Sequence, residues 1–365
     1  MNYANINVKN IKKVSLMIKK SLLPILFATS VFLLSSCGKT PTVYYDAAMN
    51  YLENGQYEQA SKDFFRSLCE EAKTKECYRG YGIALLYEGY YEDAANAFID
   101  ALHQSNGRIS EIDYDINYYL AKAYEYGGNY EEAISVYDAL ITLHPKESSH
   151  YFDRAVNYVK LGDIEKALED FEVATAPTPS DYDLHIDIFF KMTDAGFEAE
   201  GAEYLQAILN DGKRKISDYD RGRMLYYLGN YADARVYLEK AKDLANADTV
   251  LMLGKTYEAV GDYNYAASLY SNCLNSKGAN VAVYNQLGVC KMKSGDYESA
   301  LSAFKLGLGC EDKSLKKELL YNEAVAYEYL LDFNTAYDKM REYTKLYPGD
   351  EAALHELEFL KTRKQ

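Results

Sequence analysis

The chain has 365 residues, with 40 Lys and Arg against 55 Asp and Glu, a net charge of −15, and 38 tyrosines but no tryptophan. A body this acidic is repelled by nucleic acid and by anionic lipid head groups, which excludes nucleic-acid binding as its function and any membrane attachment that relies on a basic surface. Six cysteines spread over so long a chain do not define a disulfide scaffold.

The first element in chain order is an export signal, residues 1–36. Lys9, Lys12, Lys13, Lys19 and Lys20 precede an apolar run from Leu22 to Leu34, about the length of a signal core and short of the roughly 20 residues a bilayer span needs. Starting at Met17 leaves a compact signal with Lys19 and Lys20 near its front. Leu34-Ser35-Ser36-Cys37 resembles the lipobox of bacterial lipoproteins, which implies that Cys37 is lipidated and becomes the first residue of the mature chain. Residues 1–36 hold five lysines and no acid, so the mature chain is 35 minus 55, or −20. The expectation is an exported protein, lipid-anchored in the cell membrane or the outer membrane. Residues 37–42 leave a tether of at most about 17 Å, which holds the body of the protein close to the bilayer.

From residue 43 to 350 one pattern repeats. "GQYEQA", "GYYEDA", "GNYEEA", "GDIEKA", "GNYADA", "GDYNYA" and "GDYESA" are strong copies, "LDFNTA" has lost its glycine, and "GFEAEGA" carries an extra residue. The closing alanines, Ala60, Ala94, Ala133, Ala167, Ala202, Ala234, Ala266, Ala300 and Ala336, lie 34, 39, 34, 35, 32, 32, 34 and 36 residues apart. In each copy the glycine ends one helix, and Asn129, Asp163, Asp262 or Asp296 caps the next, with Glu132 placed to complete a capping box on Asn129. The alanine lets two helices approach, and Phe64, Phe98, Tyr137, Phe171, Tyr270 or Phe304 stands one turn later on the same buried face. Each period is a helical hairpin that must stack on its neighbours to bury its second face.

This pattern resembles the tetratricopeptide repeat, most fully in "VYNQLGVCKMKSGDYESALSAFKLGL" (Val283 to Leu308), where Leu287 and Gly288 match the family's Leu-Gly pair and Gly254 and Gly82 stand at the same place in other copies. The resemblance implies an all-α fold, a right-handed α-solenoid of about nine hairpins, with Pro145, Pro179 and Pro348 where second helices end. The fifth copy departs, with Phe189 at the small-residue position and a distorted turn near Gly201. His103 to Asp113 reads as a longer loop, and residues 351–365 as a C-terminal capping helix. Cys69 and Cys77 lie about equally far from the turn between them, so a Cys69–Cys77 disulfide is expected.

No catalytic constellation appears, and neither a metal nor another cofactor is expected. His144 and His150 in "HPKESSH" read as a solvated loop rather than a metal pair. The resemblance implies a concave groove lined by first helices, and copy by copy it points to Tyr45, Arg79, Tyr118, Lys122, Tyr126, Phe152, Tyr219, Arg223, Tyr227, Lys255, Asn285, Tyr321 and Asn322. Aromatic residues with interspersed cations suit a peptide or protein segment, though tyrosines packed between helices are the plain alternative. The Lys and Asn set by which some family members hold chaperone C-termini is absent. Three readings stand side by side: a protein–protein interaction scaffold at the bacterial envelope, an outer-membrane assembly or pilus-biogenesis lipoprotein, or a binder of glycan or cell-wall polymer through tyrosines.

Overall fold

The structure is a computed structural model that describes residues 43–70, 74–105, 109–243 and 246–364. Cys37, the signal and the tether lie outside the described residues. The described residues form nineteen α-helices and no strand, so the expected all-α architecture of helical hairpins is borne out. The chain divides into two compact units inside the fifth copy: residues up to Pro179 with Lys191–Gly196, and Ser180–Phe190 with Phe197 onward.

In the first unit the hairpins are α1 and α2 (Val43–Glu53, Tyr57–Glu70), α3 and α4 (Lys75–Glu88, Tyr91–His103), α5 and α6 (Glu111–Tyr126, Tyr130–Leu143), and α7 and α8 (Ser148–Leu161, Ile164–Thr175). The division cuts α9 (Tyr182–Thr193). The second unit continues with α10 (Glu198–Asn210), α11 and α12 (Asp218–Tyr227, Tyr231–Lys240), α13 and α14 (Ala247–Ala259, Tyr263–Lys277), α15 and α16 (Val281–Lys293, Tyr297–Leu308), α17 and α18 (Lys316–Tyr329, Phe333–Leu346), and α19 (Glu351–Arg363).

Eight of the nine closing alanines are fully buried, and Phe64, Phe98, Tyr137, Phe171, Tyr270 and Phe304 lie under them with almost no exposed surface. Burying one such ring contributes about 1.5–3 kcal/mol, so these positions dominate the hairpin cores. A Cβ built on Gly288 would stand 2.3 Å from the Phe304 ring, and one on Gly82 2.6 Å from Phe98. The first helix thus carries no side chain where the ring of the second crosses it. At the turn of the fourth hairpin Gly162 takes φ 80°, which closes α7 without a side-chain clash. In the copy that lost its glycine Leu331 takes the same left-handed conformation, at φ 63°.

Three expectations are corrected. The fifth copy has no extra residue, because Gly201, not Ala202, is the buried small residue, and its N–H donates to the carbonyl of the N-cap Phe197 as the alanines do in other copies. There the bulk is exchanged between helices: Phe189 on α9 packs in one core with Leu205, which replaces the usual ring of the second helix. Asn129 makes no side-chain cap; the capping box forms at Ser110, the residue before α5, with Asp113 in the first turn of that helix. Asp163, Asp262 and Asp296 do cap their helices.

Candidate functional site: the first-helix face

Counting back from each turn glycine shows which first-helix residues share a face. Tyr45, Arg79, Tyr118, Phe152, Tyr219, Asn285 and Tyr321 stand ten positions before the turn, and Lys122, Arg223 and Lys255 six positions before it. Asn322 stands nine positions before. Within each unit helical phase brings these positions onto adjoining rows of one face. Tyr126 and Tyr227 stand two positions before the turn, one helical turn beyond Lys122 and Arg223, and so continue the same stripe toward the hairpin edge. Tyr126 lies at the hairpin edge against Tyr91 of the preceding copy, and Tyr227 packs edge-on against Phe190 with centroids 4.9 Å apart.

The cations of this face are largely neutralised by the neighbouring copy. Arg79 donates from Nε to Asp115, and Lys75 Nζ lies 2.6 Å from Asp113. Lys122 Nζ lies 2.8 Å from Asp153 and 3.2 Å from Glu125, beneath the rings of Tyr118, Tyr126 and Tyr137. Burial opposes the charge of Lys122, but the two carboxylates outweigh it and raise the pKa of the ammonium. Burial likewise pushes the Tyr118 hydroxyl up to about 12, so it remains a donor at neutral pH. Asn322 donates to Asn285 at 3.0 Å. These contacts join successive hairpins within each unit. The acidic partners were not singled out in the sequence, and their signal is positional, as Asp115, Asp183 and Asp248 stand thirteen positions before a turn glycine and Asp153 and Asp220 nine.

The second unit opens a cavity of about 480 Å³ on this face, lined by Asp183, Tyr219, Asp220, Arg223, Asp248, Leu251, Met252 and Lys255. Arg223 floors it, donating to Asp183 at 2.5 Å, with Asp220 3.1 Å away and its ring neighbour Tyr219 at 5.3 Å. Its Nε is buried and has no acceptor among the described residues. Leu251 and Met252 supply an apolar wall, and Lys255 is exposed at the rim. Such a site offers opposite charges, an apolar wall and an aromatic ring, a set that fits the polar backbone and mixed side chains of an extended polypeptide.

The remaining predicted residues are packing elements. Tyr45 meets Phe64 edge-on at 6.0 Å, Phe152 meets Phe171 at 5.6 Å, and Tyr321 meets Tyr343 at 5.6 Å. The expected Cys69–Cys77 disulfide is not made: both are thiols, Cys69 exposed and Cys77 buried with Sγ turned toward the Phe64 carbonyl. His150 is not in a solvated loop. It is buried on α7, bonded to the Tyr114 hydroxyl, and burial lowers its pKa. Among the described residues no group of three or more His, Cys, Asp or Glu is placed to hold a metal ion, and no helix is long and apolar enough to cross a membrane.

Stacked helical hairpins with a recessed first-helix face define a class of interaction scaffolds. Tetratricopeptide repeat family models match residues 79–148 and 118–182, and another matches 281–309. The chain carries tetratricopeptide repeats over these residues. It is similar to a tetratricopeptide repeat protein from Parabacteroides merdae, at 17% identity over 69% of this chain and 99% of that one, with a TM-score of 0.39. It is also similar to yeast Tom70, at 15% identity over 88% of both chains with a TM-score of 0.47, and to YrrB, described as a repeat protein with an unusual peptide-binding site, at 17% identity over 60% of this chain and 96% of that one with a TM-score of 0.34. No curated protein sequence matches the chain.

Proposed function

We propose that this chain is a bacterial envelope lipoprotein, held to its membrane through acyl chains on Cys37, whose first-helix face captures an extended segment of another envelope protein. The repeats account for nearly all of the chain after the lipobox-like stretch, so binding rather than catalysis is the work left to it. Attachment rests on acyl chains alone, since the acidic body lends no electrostatic help, and more than one chain is needed for stable anchoring. The observation that carries the reading is the cavity of the second unit, where Arg223 Nε is a buried donor with no acceptor among the described residues and Lys255 stands exposed at the rim. A polypeptide laid across it supplies a carboxylate for Lys255 and apolar side chains for the wall of Leu251 and Met252.

The test is to crosslink the protein in its native membrane and compare partners with those of a Tyr219→Ala/Lys255→Glu variant and of Cys37→Ala. Loss of specific protein adducts in the first variant and release from the membrane in the second are expected. An unchanged adduct set removes the groove from the proposal, recovery of glycan alone replaces its partner class, and a Cys37→Ala protein that stays attached places the anchor elsewhere.

A further inference from the structure

A second surface stands at the hairpin turns of the first unit, where it borders the first-helix face at Tyr126. At the first two turns the tyrosine two positions after the glycine meets the tyrosine two positions before the next turn glycine. Tyr57 of the first hairpin stacks on Tyr87 of the second, with centroids 4.7 Å apart and planes within 16°, and Tyr91 of the second meets Tyr126 of the third at 5.9 Å. Tyr90 stands at the turn between these pairs, where most other copies carry Asp or Asn. The result is a continuous aromatic edge over three hairpins in which Tyr87, Tyr90 and Tyr126 are 56%, 57% and 54% exposed. Packing does not account for this exposure, since fixing three rings in water gains little from burial.

The charge around these rings is of one sign. The three turn segments, residues 53–58, 87–93 and 125–132, hold eight carboxylate residues and no Lys, Arg or His. The cations nearest to them are already engaged: Lys62 pairs with Glu58 at 2.6 Å, and Lys122, 6.0 Å from the inner side of Tyr126, is taken by Asp153 and Glu125. Glu88, between Tyr87 and the turn, has one carboxylate oxygen buried with no donor among the described residues. In the second unit residues 226–233 carry one acid and residues 292–298 include Lys293, while residues 258–265 and 328–335 hold two acids each and no cation, and Tyr297 meets Tyr329 at 5.0 Å; what sets the first unit apart is that such turns adjoin in three successive hairpins.

From the aromatic edge and the carboxylates beside it we infer that the turns of the first three hairpins form a docking site for a basic, extended segment of a partner protein, distinct from the cavity of the second unit. Arg or Lys side chains lie over the exposed tyrosine faces and reach the carboxylates beside them, so each cation is met by a ring quadrupole and a charge. Aromatic stacking without charge would also suit a sugar, but neutral sugars draw nothing from the six carboxylates that Lys62 and Lys122 do not take, and the charge favours the cationic segment.

The test uses the full-length protein extracted in detergent and a twelve-residue peptide of alternating Arg and Gly with a central benzoylphenylalanine. Its counterpart carries citrulline in place of Arg. Saturable binding of the Arg peptide is expected, with crosslinks in residues 53–58, 87–93 and 125–132. Affinity falls roughly tenfold in Tyr87→Ala/Tyr90→Ala/Tyr126→Ala, stays within about twofold when the same three become Phe, and is unaffected by Arg223→Ala/Lys255→Ala, which keeps this outcome distinct from failure of the groove. Should the triple alanine variant not fold, Glu88→Gln/Glu92→Gln/Glu131→Gln is read instead, again with a fall. Equal binding of the citrulline peptide, unchanged affinity in these variants, crosslinks spread over the second unit, or tighter binding of maltohexaose at the same tyrosines overturns the inference.

Discussion

Arg223 Nη1 lies 2.5 Å from the carboxylate of Asp183, forty positions earlier in the chain, and so ties two successive hairpins of the second unit across the floor of its cavity. The Asp183 side chain is largely exposed while the arginine is largely buried, so the pair is worth less than a fully enclosed one. Arg223→Ala should lower the stability of the second unit by about 1 kcal/mol in chemical denaturation. Arg223→Lys should recover only part of that loss, because a point charge cannot meet Asp183 and Asp220 with two separate N–H groups.

The Gly288 and Phe304 contact tests the packing of the hairpins. A Cβ at 2.3 Å from the ring cannot be accommodated without movement, so Gly288→Ala should destabilise by about 1–3 kcal/mol. Adding Phe304→Leu to that variant should cost less than the same change in the parent chain. Additive losses in a double-mutant cycle would show that the two positions do not meet.

Leu331 occupies the turn position with φ 63° and is 73% exposed, so its side chain gains nothing there that repays the left-handed conformation. Leu331→Gly should therefore raise stability by about 0.5–1 kcal/mol, read as a higher melting temperature, with Leu331→Asn intermediate.

Asp113 gives a pH dependence at the acid end. Burial opposes its ionisation, but hydrogen bonds from Lys75, Ser105 and Ser110 outweigh that and hold the carboxyl at about 2, against an ordinary 3.8. Because the folded value is depressed, the stabilisation is fully present above pH 3.8 and is lost as pH falls toward 2. Asp113→Asn should cost about 2 kcal/mol at pH 7, and the difference from the parent chain should vanish between about pH 4 and 2.

Glu328 gives the opposite sign. Burial and the Glu356 carboxyl on α19 raise it from 4.5 to about 7, because two facing carboxylates cannot both ionise at low cost. In copies three and seven the residue at this position, Glu125 or Glu258, accepts from Tyr137 or Tyr270. The ninth copy carries Met340 where those tyrosines stand, which leaves Glu328 to Glu356. With a raised folded value the contribution is full below pH 4.5 and lost as pH rises through about 7. Intrinsic-rate-corrected amide exchange on α19 should rise roughly tenfold from about pH 5 to pH 8, and Glu328→Gln should flatten the dependence.

Repetition made the hairpins legible: glycine, cap, aromatic and alanine recur at fixed offsets, and each offset has one local cause. The fifth copy was misread because its small residue is Gly201, so the search for alanine shifted the register by one. Tyr126 and Tyr227 follow Tyr118 with Lys122 and Tyr219 with Arg223 at steps of four residues, so their place on that stripe was legible from spacing. The pairs Arg79 with Asp115, Lys122 with Asp153 and Arg223 with Asp183 were hidden for another reason. Partners 31 to 40 positions apart are set by how neighbouring hairpins pack, and local pattern does not report it. His150 and Cys69 show the same limit, since the sequence marks their nearness to a turn but not which way each side chain faces.

The central claim is that the first-helix cavity of the second unit receives a polypeptide. Its most direct measurement is photocrosslinking in native membranes with benzoylphenylalanine in place of Leu251 inside the cavity, compared with the same group in place of Val173 on the exposed side of a second helix. A discrete protein adduct at position 251, absent at 173 and lost on Tyr219→Ala, is the predicted result. No adduct at 251, or one equally strong at 173, would contradict it.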